Sequence, residues 1–184
     1  NPSSAGRVVP PLTEIKIIDD NWNELEMGMI GEVAIKSESN MLGYWGNDEA
    51  TSDCMNDEGW FKSGDMGKFD GPFLHIVDRI KDMVIRGGEN IACPEVENAI
   101  YKHPDVLEAC VFGIPDERLG ELLCASIFLK DNSTLNEETL KEFLVDKLAA
   151  FKIPAIIKFS KKNLPLVASG KFNKPKLREK FMNM

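Results

Sequence analysis

Residues Gly59 to Glu97 read GWFKSGDMGKFDGPFLHIVDRIKDMVIRGGENIACPEVE, and this stretch decides how the rest of the chain is divided. Ser63-Gly64-Asp65 predicts a tight loop in which glycine allows a positive φ and the aspartate sits at the tip. A carboxylate held there can accept hydrogen bonds from two neighbouring hydroxyls, such as a ribose diol, or it can close an Asx turn on its own backbone. Phe73 to Val77 is an apolar run of strand length, closed by Asp78-Arg79-Ile80-Lys81-Asp82. Four charges among those five residues are costly to bury, so the segment is expected at a surface or between two bodies. Met83-Val84-Ile85 predicts a short strand, and Gly87-Gly88 after it suits either a turn or a place where a thin ligand passes bare backbone. Pro94, with Glu95 and Glu97 behind it and Val96, Ala99 and Ile100 on one face, starts a helix that His103-Pro104 ends.

The chain has 184 residues and 43% hydrophobic content, enough for one packed domain or two small ones. Its formal charge of -8 argues against general nucleic-acid affinity. The charge is uneven, because from Lys152 onward there are nine Lys or Arg and a single acid, Glu179. Such a basic tail suggests either a local anion partner or a solvated charged face. Cys54, Cys93, Cys110 and Cys124 show no Cys-x-x-Cys spacing and read as core thiols of a reducing compartment. With only His75 and His103, neither a zinc site nor a serine-histidine hydrolase has much to be built from. No apolar run approaches a membrane span and no signal peptide is visible, so the cytoplasm is the expected location. Asn1 to Gly6 reads neither as a natural start nor as a targeting segment, which predicts a piece of a longer protein.

Outward from the central stretch, Ile15 to Asp19 and Glu32 to Lys36 alternate polar and apolar residues as half-buried strands do, with Gly28 and Gly31 expected in the turn between them. The segment from Met41 to Thr51, with Tyr44 and Trp45, is expected as a loop whose aromatics serve as core or lid. Residues up to Asp78 are thus β-rich, and after Lys81 α and β elements alternate. Val106 to Pro115 is a nearly continuous apolar run, as for a strand buried on both faces, and Ala125 to Lys130 is a second strand. Asp116 to Glu121 between them predicts a charged turn or short helix. Asn136 caps a helix whose stripe is Leu140, Phe143, Leu144 and Leu148. Ile156 to Phe159 predicts another strand, followed by a loop from Leu164 to Phe172 that presents Lys171, then a last helix with Pro175 near its start. Neither the G-x-G-x-x-G nor the G-x-x-x-x-G-K-[ST] phosphate fingerprint is present.

Six short motifs, in order and spacing, resemble the adenylate-forming family of acyl-CoA synthetases, adenylation domains and luciferases. They are Gly31-Glu32-Val33 with Gly43-Tyr44, Ser63-Gly64-Asp65-Met66-Gly67, Asp78-Arg79-Ile80-Lys81-Asp82, Gly87-Gly88-Glu89-Asn90, Pro94-Glu95-Val96-Glu97 and Ser169-Gly170-Lys171. The resemblance implies an α+β chain: a β-rich remnant of a large N-terminal domain over residues 1–78, then a small mobile α/β lid domain over 79–184. It also implies a two-step ATP-dependent ligase that makes an acyl-adenylate and pyrophosphate, then passes the acyl group to the thiol of CoA. On that likeness Asp65 holds the ribose hydroxyls with Arg79 assisting, and Lys171 touches the α-phosphate and the carboxylate as charge develops. Lys81 is the hinge, and Gly87, Gly88 and Glu89 line the pantetheine channel.

The family's phosphate loop and the residues that help hold magnesium would precede Asn1, so no metal ligand is assigned here and the 184 residues alone are expected to be inactive. The substrate class implied is a carboxylic acid, and the Gly-Gly-Glu-Asn-Ile form points to a fatty or related hydrophobic one. Two departures stand out. Phe151 to Ala155 lacks the further basic residues that some CoA-using relatives carry, leaving Lys152 and the basic tail as candidates for contact with the CoA nucleotide. Leu166-Val167 stand where a threonine is common, which removes a hydroxyl contact. A peptide-synthetase adenylation domain is disfavoured by the lack of a carrier segment after Met184, and a non-catalytic anion-binding or interaction domain is the alternative of a different class.

Overall fold

The structure, a computed structural model, describes residues 4–9 and 11–182. Asn1 to Ser3, the start of the stretch read as a cut end, lie outside the described residues. The chain divides into two compact units, residues 1–81 and 82–184.

The first unit is one antiparallel sheet. Its strands are β1 (Gly6–Arg7), β2 (Thr13–Ile18), β3 (Gly31–Ser37), β4 (Phe61–Asp70) and β5 (Phe73–Arg79), in the order β1-β5-β4-β3-β2, with one short helix, α1 (Asp48–Cys54). Alternation along β2 and β3 puts Ile17 and Val33 on one face, where they pack with Leu74 of β5 and the partly buried Ile15, Leu25, Ile35 and Phe69. Gly31 lies inside β3 rather than in the preceding turn. A Cβ there would come within 2.5 Å of the Ile18 carbonyl oxygen, so it is close packing and not turn geometry that demands glycine. The aromatic loop is not core: Leu42 and Trp45 are fully exposed, and the segment runs into α1, whose start is capped by the Asn47 side chain accepting from Ala50 N at 3.0 Å.

The second unit is a sheet covered on both faces. Its elements are β6 (Val84–Arg86), β7 (Glu89–Ile91), α2 (Cys93–Tyr101), β8 (Val106–Asp116), β9 (Gly120–Leu129), α3 (Glu137–Val145), β10 (Ile156–Ser160) and α4 (Lys174–Met182). β8 and β9 form a long antiparallel hairpin, and β10 runs parallel to β9 on its other side. Alternate residues of the hairpin go to opposite faces. Ala109, Val111, Leu123, Ala125 and Ile127 meet Val96 and Ile100 of α2 and Leu140 and Leu144 of α3. Cys110, Phe112, Ile114 and Cys124 meet Leu164 and, on α4, Leu177 and Phe181. Both faces being dry is why this stretch reads as continuous apolar sequence rather than alternation. Each such Leu, Ile or Phe contributes roughly 1.5–3 kcal/mol by leaving water. The charged segment between the two strands is a turn, tied by Asp116 Oδ1 accepting from Arg118 N and Leu119 N. α3 opens on a capping box, with Asn136 Oδ1 accepting from Thr139 N at 3.0 Å and Asn136 N donating to Thr139 Oγ1 at 3.2 Å.

Burial sets the thiol chemistry. Cys110 and Cys124 are fully enclosed, and burial, with the Glu97 charge adding at Cys110, pushes both thiols up from 9.0 to about 12. None of the four cysteines is in a disulfide. Among the described residues no helix is long and apolar enough to cross a membrane.

Candidate functional site

The Ser63-Gly64-Asp65 segment is not a loop. It sits within β4, between β3 and β5, as a bulge: the register passes from Ala34 opposite Lys62 to Glu32 opposite Met66, so three residues face Val33 alone. Gly64 supplies the positive φ, +75°, that lets the extra residues bow outward. Its N–H donates to Glu32 Oε1 at 3.1 Å, and Ser63 Oγ accepts from Asp65 N at 3.1 Å. Glu32 belongs to the Gly31-Glu32-Val33 motif, but its support of the Gly64 N–H appears only when the ladder brings the two together. Asp65 stands opposite Arg79 of β5, whose Nε donates to Oδ1 at 3.2 Å. With side chains 29% and 51% exposed, this pair contributes at most about 1 kcal/mol to stability. Its consequence is orientation, since it fixes one carboxylate oxygen and leaves Oδ2 to accept from a ligand.

Asp78, in the charged segment expected at a surface or between two bodies, is 9% exposed, and the chain divides into its two units within that segment, after Lys81. Its Oδ1 accepts from Arg79 N at 2.8 Å, so the carboxylate is used locally where β5 continues two residues past Val77. Ile80–Asp82 is one turn of 3-10 helix, and exposed Lys81 is its middle residue and the last of the first unit.

In the second unit Gly87 and Gly88, with φ of +62° and +87°, form the two-residue turn of the β6–β7 hairpin, closed by Arg86 opposite Glu89. Gly87 N also donates to Leu119 O at 2.7 Å, so the turn is braced against the β8–β9 turn while Glu89 stays exposed. Lys152, one candidate for a CoA contact, donates from Nζ to both oxygens of Glu95 at 2.7 Å, and that ammonium already has a carboxylate partner.

Lys171 ends a small hairpin. Leu166 bridges Phe172, Val167 N donates to Lys171 O at 2.8 Å, and Gly170 N donates to Val167 O at 2.9 Å. Gly170 has φ +81°, the left-handed residue that a tight turn followed by a bulge requires. Lys171 is exposed, and among the described residues it takes part in no ion pair. Lys174, three residues on, is different. Burial pulls its pKa down, but nearby acidic groups, among them the Glu97 and Asp82 carboxylates, outweigh that and hold it above the ordinary lysine value. Among the described residues no group of three or more His, Cys, Asp or Glu is placed to hold a metal ion.

Residues 95–171 match the family described as the AMP-binding enzyme C-terminal domain. Over 178 residues the chain is 44% identical to the medium-chain acyl-CoA ligase ACSF2, mitochondrial, of Rattus norvegicus, covering 96% of this chain and 29% of that protein. It is 39% identical over 170 residues to feruloyl-CoA synthase of Amycolatopsis sp, covering 92% of this chain and 34% of that one. The crystal structure of ATP-bound MatB from Rhodopseudomonas palustris superposes with a TM-score of 0.90 at 33% identity, covering 97% of this chain and 36% of that one. The chain spans about a third of the length of these proteins.

Proposed function

We propose, from the premise that residues 95–171 belong to the AMP-binding enzyme C-terminal domain family, that this chain is the C-terminal portion of an AMP-forming acid–thiol ligase. The overall reaction joins a carboxylic acid, in our reading a fatty or related hydrophobic one, to CoA at the expense of ATP. In the first step a carboxylate oxygen attacks the α-phosphorus of ATP, and pyrophosphate leaves with the electrons of the broken P–O bond. In the second, the CoA sulfur, having lost its proton, attacks the acyl carbon and AMP leaves.

The observation that carries this reading is Lys171, exposed on a hairpin and, among the described residues, in no ion pair. A compact ammonium on a long stem can stabilise the negative charge that builds on the phosphate and carboxylate oxygens in the first step. Asp65 accepts from the ribose hydroxyls through the oxygen that Arg79 leaves open. Lys81 is the pivot about which residues 82–184 change position between the steps, and the Gly87-Gly88 turn with Glu89 lies along the pantetheine arm, where absence of side chains gives it room. Magnesium accompanying ATP would be held, in our reading, by residues of the large N-terminal part and by the phosphates themselves. The cytoplasm is the compartment we propose from the sequence. The mitochondrial name belongs to the rat relative, and cell fractionation with an antibody to this chain decides between the two.

The test is made in the full-length enzyme by separating the half-reactions. Lys171→Ala is expected to slow pyrophosphate release roughly 10²-fold or more, while thioester formation from preformed acyl-adenylate survives. Equal loss in both half-reactions refutes the role.

A further inference from the structure

A cavity of about 470 Å³ opens in the second unit between β10, the segment that follows it, and α4. Five lysines line it: Lys158 from β10, Lys161 and Lys162 from the next turn, and Lys176 and Lys180 one helical turn apart on α4. Like charges at that helical spacing are mildly destabilising, and here three further ammoniums are added to the same concavity. A solvated charged face is normally relieved by interspersed acids. Among the described residues none of Lys161, Lys162, Lys176 and Lys180 takes part in an ion pair. Glu108, which reaches this segment, has both oxygens occupied: Oε1 accepts from Asn163 Nδ2 at 2.8 Å and Oε2 from Leu164 N at 2.6 Å.

The fifth lysine is held in place. Lys158 Nζ lies 4.0 Å from the Phe181 ring centroid and donates to the Lys180 carbonyl at 3.2 Å. Behind the ammoniums the wall is apolar, made by the buried Leu164, Leu177 and Phe181, while the Phe159 ring packs on the other face of the sheet. A cavity of small-molecule size, with cationic groups on one side and apolar surface on the other, concentrates anions that carry an apolar or planar body. Lysine is a point-charge binder of phosphate.

We propose that this cavity binds a phosphate-bearing small molecule, with the phosphate among Lys161, Lys162, Lys176 and Lys180 and the body toward Leu177 and Phe181. These lysines belong to the basic tail named above as a candidate for the CoA nucleotide, so the inference rests in part on the ligase reading, while Lys171, which carries that reading, is not among the lining residues. Two sources share the chemistry, a nucleotide and inorganic phosphate, and two probes tell them apart. The 184-residue chain is titrated with adenosine 3′,5′-bisphosphate and with inorganic pyrophosphate, read by calorimetry and by backbone amide NMR shifts.

Both probes are expected to move the Ser126, Phe159 and Leu177 amides, with the bisphosphate at least tenfold tighter. Equal affinity keeps the site and assigns it to inorganic phosphate. The variant Lys161→Glu/Lys162→Glu/Lys176→Glu, at exposed positions, is expected to weaken binding at least tenfold with an unchanged urea midpoint. Should that variant fold poorly, Lys176→Met alone is expected to weaken it at least threefold. Unmoved amides at millimolar probe, undiminished affinity in the variants, or binding of an RNA duplex or phosphatidylglycerol vesicles with both small probes silent would overturn the proposal.

Discussion

Gly170→Ala tests whether the hairpin, and not merely the presence of a lysine, sets the position of Lys171. Gly170 holds φ +81°, and a Cβ added there meets nothing within 4 Å. The whole cost is therefore backbone strain, about 1–2 kcal/mol for an alanine in the left-handed region. Against it stand two exposed turn hydrogen bonds, Gly170 N to Val167 O and Val167 N to Lys171 O, each worth about 0.5–1.5 kcal/mol net. The two sides are comparable, so the hairpin can open locally instead of holding the strained φ, and the rest of the fold is not required to follow. Urea unfolding of the 184-residue chain should then show a loss of at most about 1 kcal/mol. Pyrophosphate release by the full-length enzyme should fall about tenfold, the factor that corresponds to roughly 1.4 kcal/mol of lost positioning. Asparagine tolerates the left-handed region, so Gly170→Asn should recover most of the rate. Identical rates for the alanine and asparagine variants, or a stability loss above about 3 kcal/mol, would refute the argument.

Three further outcomes follow from the same coordinates. An acid whose folded pKa is raised keeps its proton longer in the fold, so the thiols of Cys110 and Cys124, at about 12 against 9.0, leave stability intact below pH 9 and drain it between 9 and 12. From pH 8 to 10 each should cost roughly 1.4 kcal/mol, and Cys110→Ala/Cys124→Ala should flatten that part of the urea-midpoint profile; an equally steep profile contradicts the burial account. Lys81→Pro removes a backbone N–H within the 3-10 turn and stiffens it, and in the full-length enzyme it is expected to spare adenylation and block thioester formation, so normal rates in both would remove Lys81 as the pivot. Gly67→Ala places a Cβ 2.8 Å from Val33 Cγ2 and 2.9 Å from the His75 carbonyl oxygen, an overpacking cost of about 1–3 kcal/mol. Gly64→Ala meets no atom and costs only the strain of its φ of +75°, about 1–2 kcal/mol, so it should not exceed the Gly67 change, and the reverse order in thermal melts would show that the bulge, not the packing, is the tighter constraint.

Much of the architecture is local information. The stripe of α3 and its Asn136 cap, the opening of α2 at Pro94, the Gly87-Gly88 turn and the doubly buried run of β8 depend on neighbouring residues and on φ preferences that any stretch of chain carries with it. So does the motif order that pointed to Asp65, Arg79 and Lys171.

What the tertiary structure decided involves partners far apart in sequence. Ser63-Gly64-Asp65 became a bulge and not a loop because Glu32, across the ladder, takes the Gly64 N–H. Gly31 is required by the Ile18 carbonyl rather than by a turn, and Asp78 is buried despite its charged neighbours. The five lysines, scattered from 158 to 180, read as a tail until β10 and α4 bring them to one cavity. Periodicity and turn chemistry are written in consecutive residues, whereas who stands opposite whom is settled only when apolar faces close and the ladder register is chosen.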